Sequence, residues 1–241
     1  MKKLILFTTA ILFISTAHAQ WWGGKRIKGN GKMTKITRTT SDYDAISCAG
    51  SMDYILIAGE EGNITIEGEE NLLEYIVTEV KDGKLKIKTK KNSNISPSRN
   101  MTIKVTIPFK DIDHVALAGS GDLWNEDKIT ASNLKVALAG SGDVVLDIEA
   151  NAVKGSIAGS GDLTLKGQTN ELDASVAGSG DFHGFNLQSN NTTVSVAGSG
   201  DAKVVSNESL KARVSGSGDI QYKGNPTKED TKVSGSGSIS N

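Results

Sequence analysis

The 241-residue chain has one cysteine, three prolines and few aromatic side chains, 5% of its residues. A lone Cys48 excludes a disulfide framework and any cysteine-based zinc module. Of the three histidines, His18 sits in an apolar leader, and His114 and His183 lie at no metal-ligand spacing. Each reads as a polar strand or corner residue. Strong charge of one sign is missing too. Without residues 1–19 the chain carries 25 basic and 28 acidic residues, a net charge of −3, which excludes a polyanion partner such as nucleic acid. After the leader no apolar run reaches membrane length, so no integral span is expected in the mature chain.

What the chain does have begins at its N-terminus. Lys2 and Lys3 precede an apolar run from Leu4 to Ile14, and Ala17-His18-Ala19 offers small residues at the cleavage positions. This predicts a signal peptide over 1–19, with Gln20 as the mature N-terminus and export to the periplasm, the cell surface or the medium. Residues 20–36 read as a flexible lead-in, and 37–241 as one domain.

Glycine is plentiful, at 27 residues, and it is periodic. Gly-Ser-Gly begins at Gly119, Gly140, Gly159, Gly178, Gly198, Gly216 and Gly235, in steps of 21, 19, 19, 20, 18 and 19 residues. The second glycines are Gly121, Gly142, Gly161, Gly180, Gly200, Gly218 and Gly237. Asp122, Asp143, Asp162, Asp181, Asp201 and Asp219 follow six of the seven copies, and Ser238 follows the last. Apolar residues alternate before each motif, as in Val194 and Val196, and after it, as in Leu163 and Leu165. Period-two alternation with β-branched residues is a half-buried strand. The glycines therefore mark a tight corner, reached either through φ > 0 or through close approach of neighbouring backbones. A second corner is expected about eight residues earlier, at Asn151, Asn170 and Asn190, with Asn133, Asn207 and Asn225 nearby. Asn tolerates the left-handed region and bonds its own backbone.

A unit of about 19 residues buries its apolar face only by stacking on copies of itself. The predicted fold is all-β: a parallel β-solenoid with two-strand rungs, regular over 116–241 and degenerate over 37–115. In the degenerate half, Ile46, Cys48, Gly50, Ser51, Met52 and Asp53 follow the same pattern with Met52 in place of the second glycine. Cys48 then faces the core as an inert thiol. A hairpin is expected from Tyr75–Val80 against Lys84–Lys90, turning at Asp82-Gly83. The lysine row on its second strand reads as a solvated face that discourages edge pairing.

These residues resemble the autotransporter-adhesin head GIN domain family. The resemblance rests on Tyr43-Asp44-Ala45-Ile46 leading into Gly50-Ser51-Met52-Asp53, then Asn71-Leu72-Leu73-Glu74-Tyr75-Ile76, then Asp82-Gly83-Lys84-Leu85-Lys86-Ile87, then the Gly-Ser-Gly-Asp series. It covers about residues 37–241 and implies a two-sheet β-helix whose Gly-Ser-Gly segments turn between sheets. It also implies a shape like the pectin-lyase solenoids without a recognised catalytic set, and a role in adhesion.

The serines and aspartates are repeated, so none is distinguished as a nucleophile or as one of two unlike carboxylates. The chain reads as a non-enzymatic adhesion or envelope-interaction protein with no cofactor, meeting a glycan or protein ligand. The alternative is a polysaccharide-active enzyme of pectin-lyase shape. Stacked about 4.8 Å apart, the aspartates repel by roughly 1 kcal/mol per adjacent pair even in water. Hydrogen bonds from the N–H groups of each aspartate's own corner are the expected compensation. A bound cation such as Ca²⁺ is the other candidate, although the spacing departs from the calcium nonapeptide.

Overall fold

The computed structural model describes residues 25–241, so the predicted signal peptide and its cleavage site lie outside the described residues. The chain is a β-solenoid of about seven turns with rungs about 19 residues apart. Within the expected flexible lead-in, Lys25–Lys28 and the residues from Met33 onward are instead strand. Lys25–Lys28 pairs parallel with Ser93–Ser96, and Met33–Thr39 pairs antiparallel with Asn63–Glu69.

Each regular rung crosses two sheets. His114–Gly119 pairs parallel with Ile129–Gly140, and the same column continues through Val144–Gly159, Leu163–Gly178, Phe182–Gly198, Ser209–Gly216 and Lys228–Gly235. The glycines stand in exact register, Gly50 beside Gly119 and Gly119 beside Gly140. The strands run 16 or 17 residues in the best copies because the chain bends at the asparagines without leaving the ladder. The bend is a slip of one residue in the inward parity. Ala150 and Val153 are both buried, and the pairing skips Asn151 and Asn170. None of these asparagines has φ > 0, contrary to expectation. The bend is held from inside by hydroxyls. Thr169 Oγ1 donates to the carbonyls of Asn151 and Glu171, at 3.2 and 3.0 Å, and Thr192 Oγ1 to that of Val205 at 2.7 Å. A broken ladder leaves buried carbonyls needing donors, and short hydroxyl side chains reach them.

The N-terminal half supplies the end of both sheets and does so out of sequence order. Ala45–Gly50 and Asp53–Ala58 form one rung, on which His114–Gly119 and Leu123–Asn125 stack from one side. From the other side come Lys84–Thr89 and Lys104–Phe109. Antiparallel strands finish each sheet: Ile76–Lys81 beyond Lys84–Thr89, and Asn63–Glu69 with Met33–Thr39 beyond Lys104–Phe109. The expected hairpin turns where φ is +53° at Asp82 and +70° at Gly83. Two successive positive φ values give the twist that antiparallel strands need. The lysine strand is no edge, since it is paired on both sides. Lys88 bonds Glu79 across the hairpin at 2.8 Å, and Lys90 lies over the Tyr75 ring at 5.5 Å.

One continuous core of stacked Val, Leu, Ile and Ala fills the solenoid. Cys48 is within it at 1% exposure, and burial pushes its thiol pKa well up. At the other end, Glu229, Thr231 and Val233 take the inward positions of the last rung, where polar side chains blunt an open strand edge.

Candidate functional site: the glycine, serine and aspartate corner face

The two glycines of each corner share one constraint and differ in another. The first has φ between +128° and +139° in the seven repeated corners, a region L-residues avoid. The second has no such φ, and like the first it lies against the rung before it. A Cβ on Gly180 would stand 2.1 Å from the carbonyl oxygen of Gly161. Met52 shows the rule from the other side. Its corner is the first of the stack, no earlier Gly-Ser-Gly corner lies against it among the described residues, and its side chain turns into the core with 0% exposure.

At the corner the N–H groups of three successive residues point toward the preceding rung. Ser160 N and Gly161 N both donate to the carbonyl of Gly140, at 2.8 and 3.0 Å. That leaves the N–H of Asp162, which donates to Oδ1 of Asp143 at 2.9 Å. After the corner the direction reverses, and Leu163 N donates forward to the carbonyl of Asp181 at 2.9 Å. The carboxylate thus supplies the acceptor that the backbone lacks. The pattern holds from Asp122 to Asp219, with N···O distances of 2.7–3.0 Å. Compensation for the aspartate ladder therefore comes from the next rung, not from each aspartate's own corner as expected. The reason is that all three N–H vectors lie along the stacking axis. Ser238 ends the series by donating both its N–H and its Oγ to Asp219 Oδ1 at 2.7 and 2.9 Å.

Beside the aspartates runs a column of exposed serines: Ser120, Ser141, Ser160, Ser179, Ser199 and Ser217. None of these hydroxyls has a side-chain hydrogen bond among the described residues. Two flat columns of small outward residues adjoin them, typified by Ala139, Ala158 and Ala177 and by Ser156, Ser175 and Ser195. On the same sheet, beyond these columns, a shallow groove of about 510 Å³ runs along the axis. Of its charged side chains, Lys154 pairs with Asp173 at 3.3 Å, and Asp230 pairs with Arg213.

The histidines separate. His114 stacks against Lys135 in the next rung and stays half-buried. Burial lowers its pKa, and Lys84 and Lys135 add to that effect. His183 comes within 3.6 Å of Asp162, with Asp181 alongside. Spacing in the sequence concealed this group, because its third member sits 21 residues away on the neighbouring rung. Just beyond, one extra residue in the strand forms a bulge at Gly184 and Phe185, and the ammonium of Lys223 sits 4.2 Å from the centre of the Phe185 ring.

A missed residue is Glu69, buried to 1% exposure. Its carboxylate accepts from Gly31 N, Ser98 N and Ser98 Oγ at 2.6–2.7 Å, tying the N-terminal turn to the loop before Met101. Burial raises its pKa, but the bonds from Ser98 and Gly31 outweigh that and hold it below the usual range. Strand alternation gave no hint of this role, because Glu69 falls in the polar parity of Thr65 and Glu67 and is buried out of phase, directly after Gly68.

Residues 42–226, with their Gly-Ser-Gly corners and antiparallel cap, match the family model described as "Putative auto-transporter adhesin, head GIN domain". The chain belongs to this family. A "putative adhesin" of Bacteroides fragilis is similar over 89% of this chain and 99% of its own, at 26% identity and a TM-score of 0.80. A "putative lipid binding protein" of Parabacteroides distasonis is similar over 90% and 99%, at 29% identity and a TM-score of 0.77. A second "putative adhesin" of Parabacteroides distasonis aligns over the same shares at 26% identity and a TM-score of 0.71. No curated protein matches the chain. In this head GIN domain no described helix is long and apolar enough to cross a membrane.

Proposed function

We propose that this head GIN domain is a non-enzymatic adhesion module of the cell envelope, exported by the leader over residues 1–19. Its contact face is the corner face, where free serine hydroxyls repeat in register beside flat columns of alanine and serine. One observation carries this reading. The aspartates are spent on the neighbouring rung's N–H groups, whereas the serine hydroxyls beside them have no side-chain hydrogen bond among the described residues. A flat, evenly spaced row of donors and acceptors suits an extended partner with a repeat of its own, a glycan or an extended polypeptide.

Catalysis by carboxylates asks for two acids in unlike environments, one of them held protonated. Glu69 is the only fully buried carboxylate among the described residues, and its oxygens are already committed. The acids along the groove, Glu171, Asp173, Glu229 and Asp230, are exposed, and Asp173 and Asp230 are ion-paired. Both facts support a binding role over the polysaccharide-active alternative.

The test is binding of the purified protein to glycan and matrix-protein arrays, repeated with Ser160→Arg and Ser179→Arg together. The expected outcome is a bound ligand class whose signal the double variant loses while its melting temperature holds. Binding that survives this variant, or products released from a polysaccharide, overturns the reading.

A further inference from the structure

We propose that Asp162, Asp181 and His183 form a site for one divalent transition-metal ion of the zinc type. One ligating atom from each residue lies within 4.8 Å of the others. The sharper observation is the 3.6 Å between His183 Nε2 and Asp162 Oδ2. That is too long for a hydrogen bond. It is close to the separation of about 3.4 Å between two ligands of a tetrahedral ion with metal–ligand bonds of about 2.0–2.1 Å.

The carboxylates are held in place before any ion arrives. Oδ1 of Asp162 is bonded by the N–H of Asp181 at 2.9 Å, and Oδ1 of Asp181 by the N–H of Asp201 at 2.8 Å. Outer-shell bonds of this kind orient ligands and raise affinity. Each carboxylate keeps its second oxygen for a cation, and a cation between them removes the repulsion of that adjacent pair. His183 and Asp162 side chains are 39% and 43% exposed, so an ion reaches them from solvent and keeps waters on its remaining positions.

The site occurs once although the ladder repeats. In the column of His183 the rungs carry Val145, Thr164, Lys203 and Gln221, none of which supplies an imidazole. Lys203 stacks next to His183 but makes no ion pair with either aspartate among the described residues. A nitrogen donor beside two carboxylates selects zinc-type ions, whereas Ca²⁺ takes oxygen ligands throughout. A ladder-wide calcium site would use every aspartate alike. The zinc site uses one rung interface.

Calorimetric titration of the tag-free protein with ZnCl₂ tests this, with NMR of the histidine rings as a second readout. One equivalent of Zn²⁺ is expected to bind and to shift the ring resonances of His183 but not of His114. His183→Ala, His183→Gln and Asp181→Asn should each weaken binding about tenfold or more. Asp122→Asn and His114→Ala should leave it unchanged. Circular dichroism checks that each variant is folded, and the ring shift in the unaltered protein is decisive whether or not one of them fails. The proposal is overturned by absence of zinc heat and ring shifts up to about 1 mM. Equal affinity in His183→Ala and the parent chain overturns it too, as does Ca²⁺ binding that depends on the aspartates but not on His183.

Discussion

The degenerate half and the regular half use one corner motif under opposite constraints. Over 116–241 each rung stacks on a near-copy of itself, so a residue at a given position must fit against its own equivalent. Small side chains result at the corner, with glycine where backbones approach to a carbonyl's distance. Over 37–115 the neighbours differ from one another. Lys104–Phe109 and Asn63–Glu69 lie on one side of the Asp53–Ala58 strand and Leu123–Asn125 on the other. Bulky unrepeated residues such as Tyr43, Met52 and Tyr54 close the core there. The phenols of Tyr43 and Tyr54 donate to the carbonyls of Pro108 and Ala49, and burial pushes both pKa values up. Repetition is thus a demand of stacking on a copy, and it lapses at the end of the stack where no copy lies beneath.

The strongest way to break this comparison is to exchange the second glycine and its counterpart. Gly180→Val forces a side chain into the Gly161 carbonyl. It should destabilise by more than about 4 kcal/mol or prevent folding, as measured by denaturant unfolding. A small loss there would mean that the rungs part easily and that repetition is not imposed by contact. Met52→Gly, the same position where no corner lies beneath, should lose about 2–5 kcal/mol through a cavity instead. A neutral Met52→Gly would deny that the first corner is a cap.

Glu69 sharpens the comparison by pH. Its folded pKa is lowered, so its stabilisation is present above its unfolded pKa and is lost as pH falls through the folded value. Glu69→Gln should cost about 1–3 kcal/mol at neutral pH, and the gap from the parent should narrow on acidification below the ordinary carboxylate range. Hydrogen exchange should show the loss over 25–31 and the loop at Ser98 while the regular rungs stay protected. A uniform loss across all rungs would show that the two halves are one cooperative unit at this site.

The aspartate ladder comes next in size. Asp162→Ala orphans the N–H of Asp181 and should cost about 1–3 kcal/mol. Asp162→Asn keeps an acceptor and relieves repulsion from Asp143 and Asp181, so in metal-free buffer its melting temperature should match or slightly exceed the parent's. Equal losses from both would return the charge itself to the centre of the account. The smallest effect is expected for Ser179→Ala, within about 0.5 kcal/mol, because the hydroxyl faces solvent.

The sequence by itself determined the fold class, the rung length and the position of every Gly-Ser-Gly corner. Strand alternation and glycine periodicity are local signals, and a self-stacking repeat writes its long-range contacts into a local period. It also determined the Asp82-Gly83 hairpin, for which two adjacent residues suffice. Only the tertiary structure decided what lies between rungs. That each aspartate serves the following corner, that the rung at residue 45 is stacked between later segments, that hydroxyls rather than left-handed asparagines hold the second bend, and that His183 faces Asp162 all depend on register across the stack. Register sets which residues 18 to 21 positions apart become neighbours. No period within one strand carries that information, because the partner that decides each contact belongs to another turn.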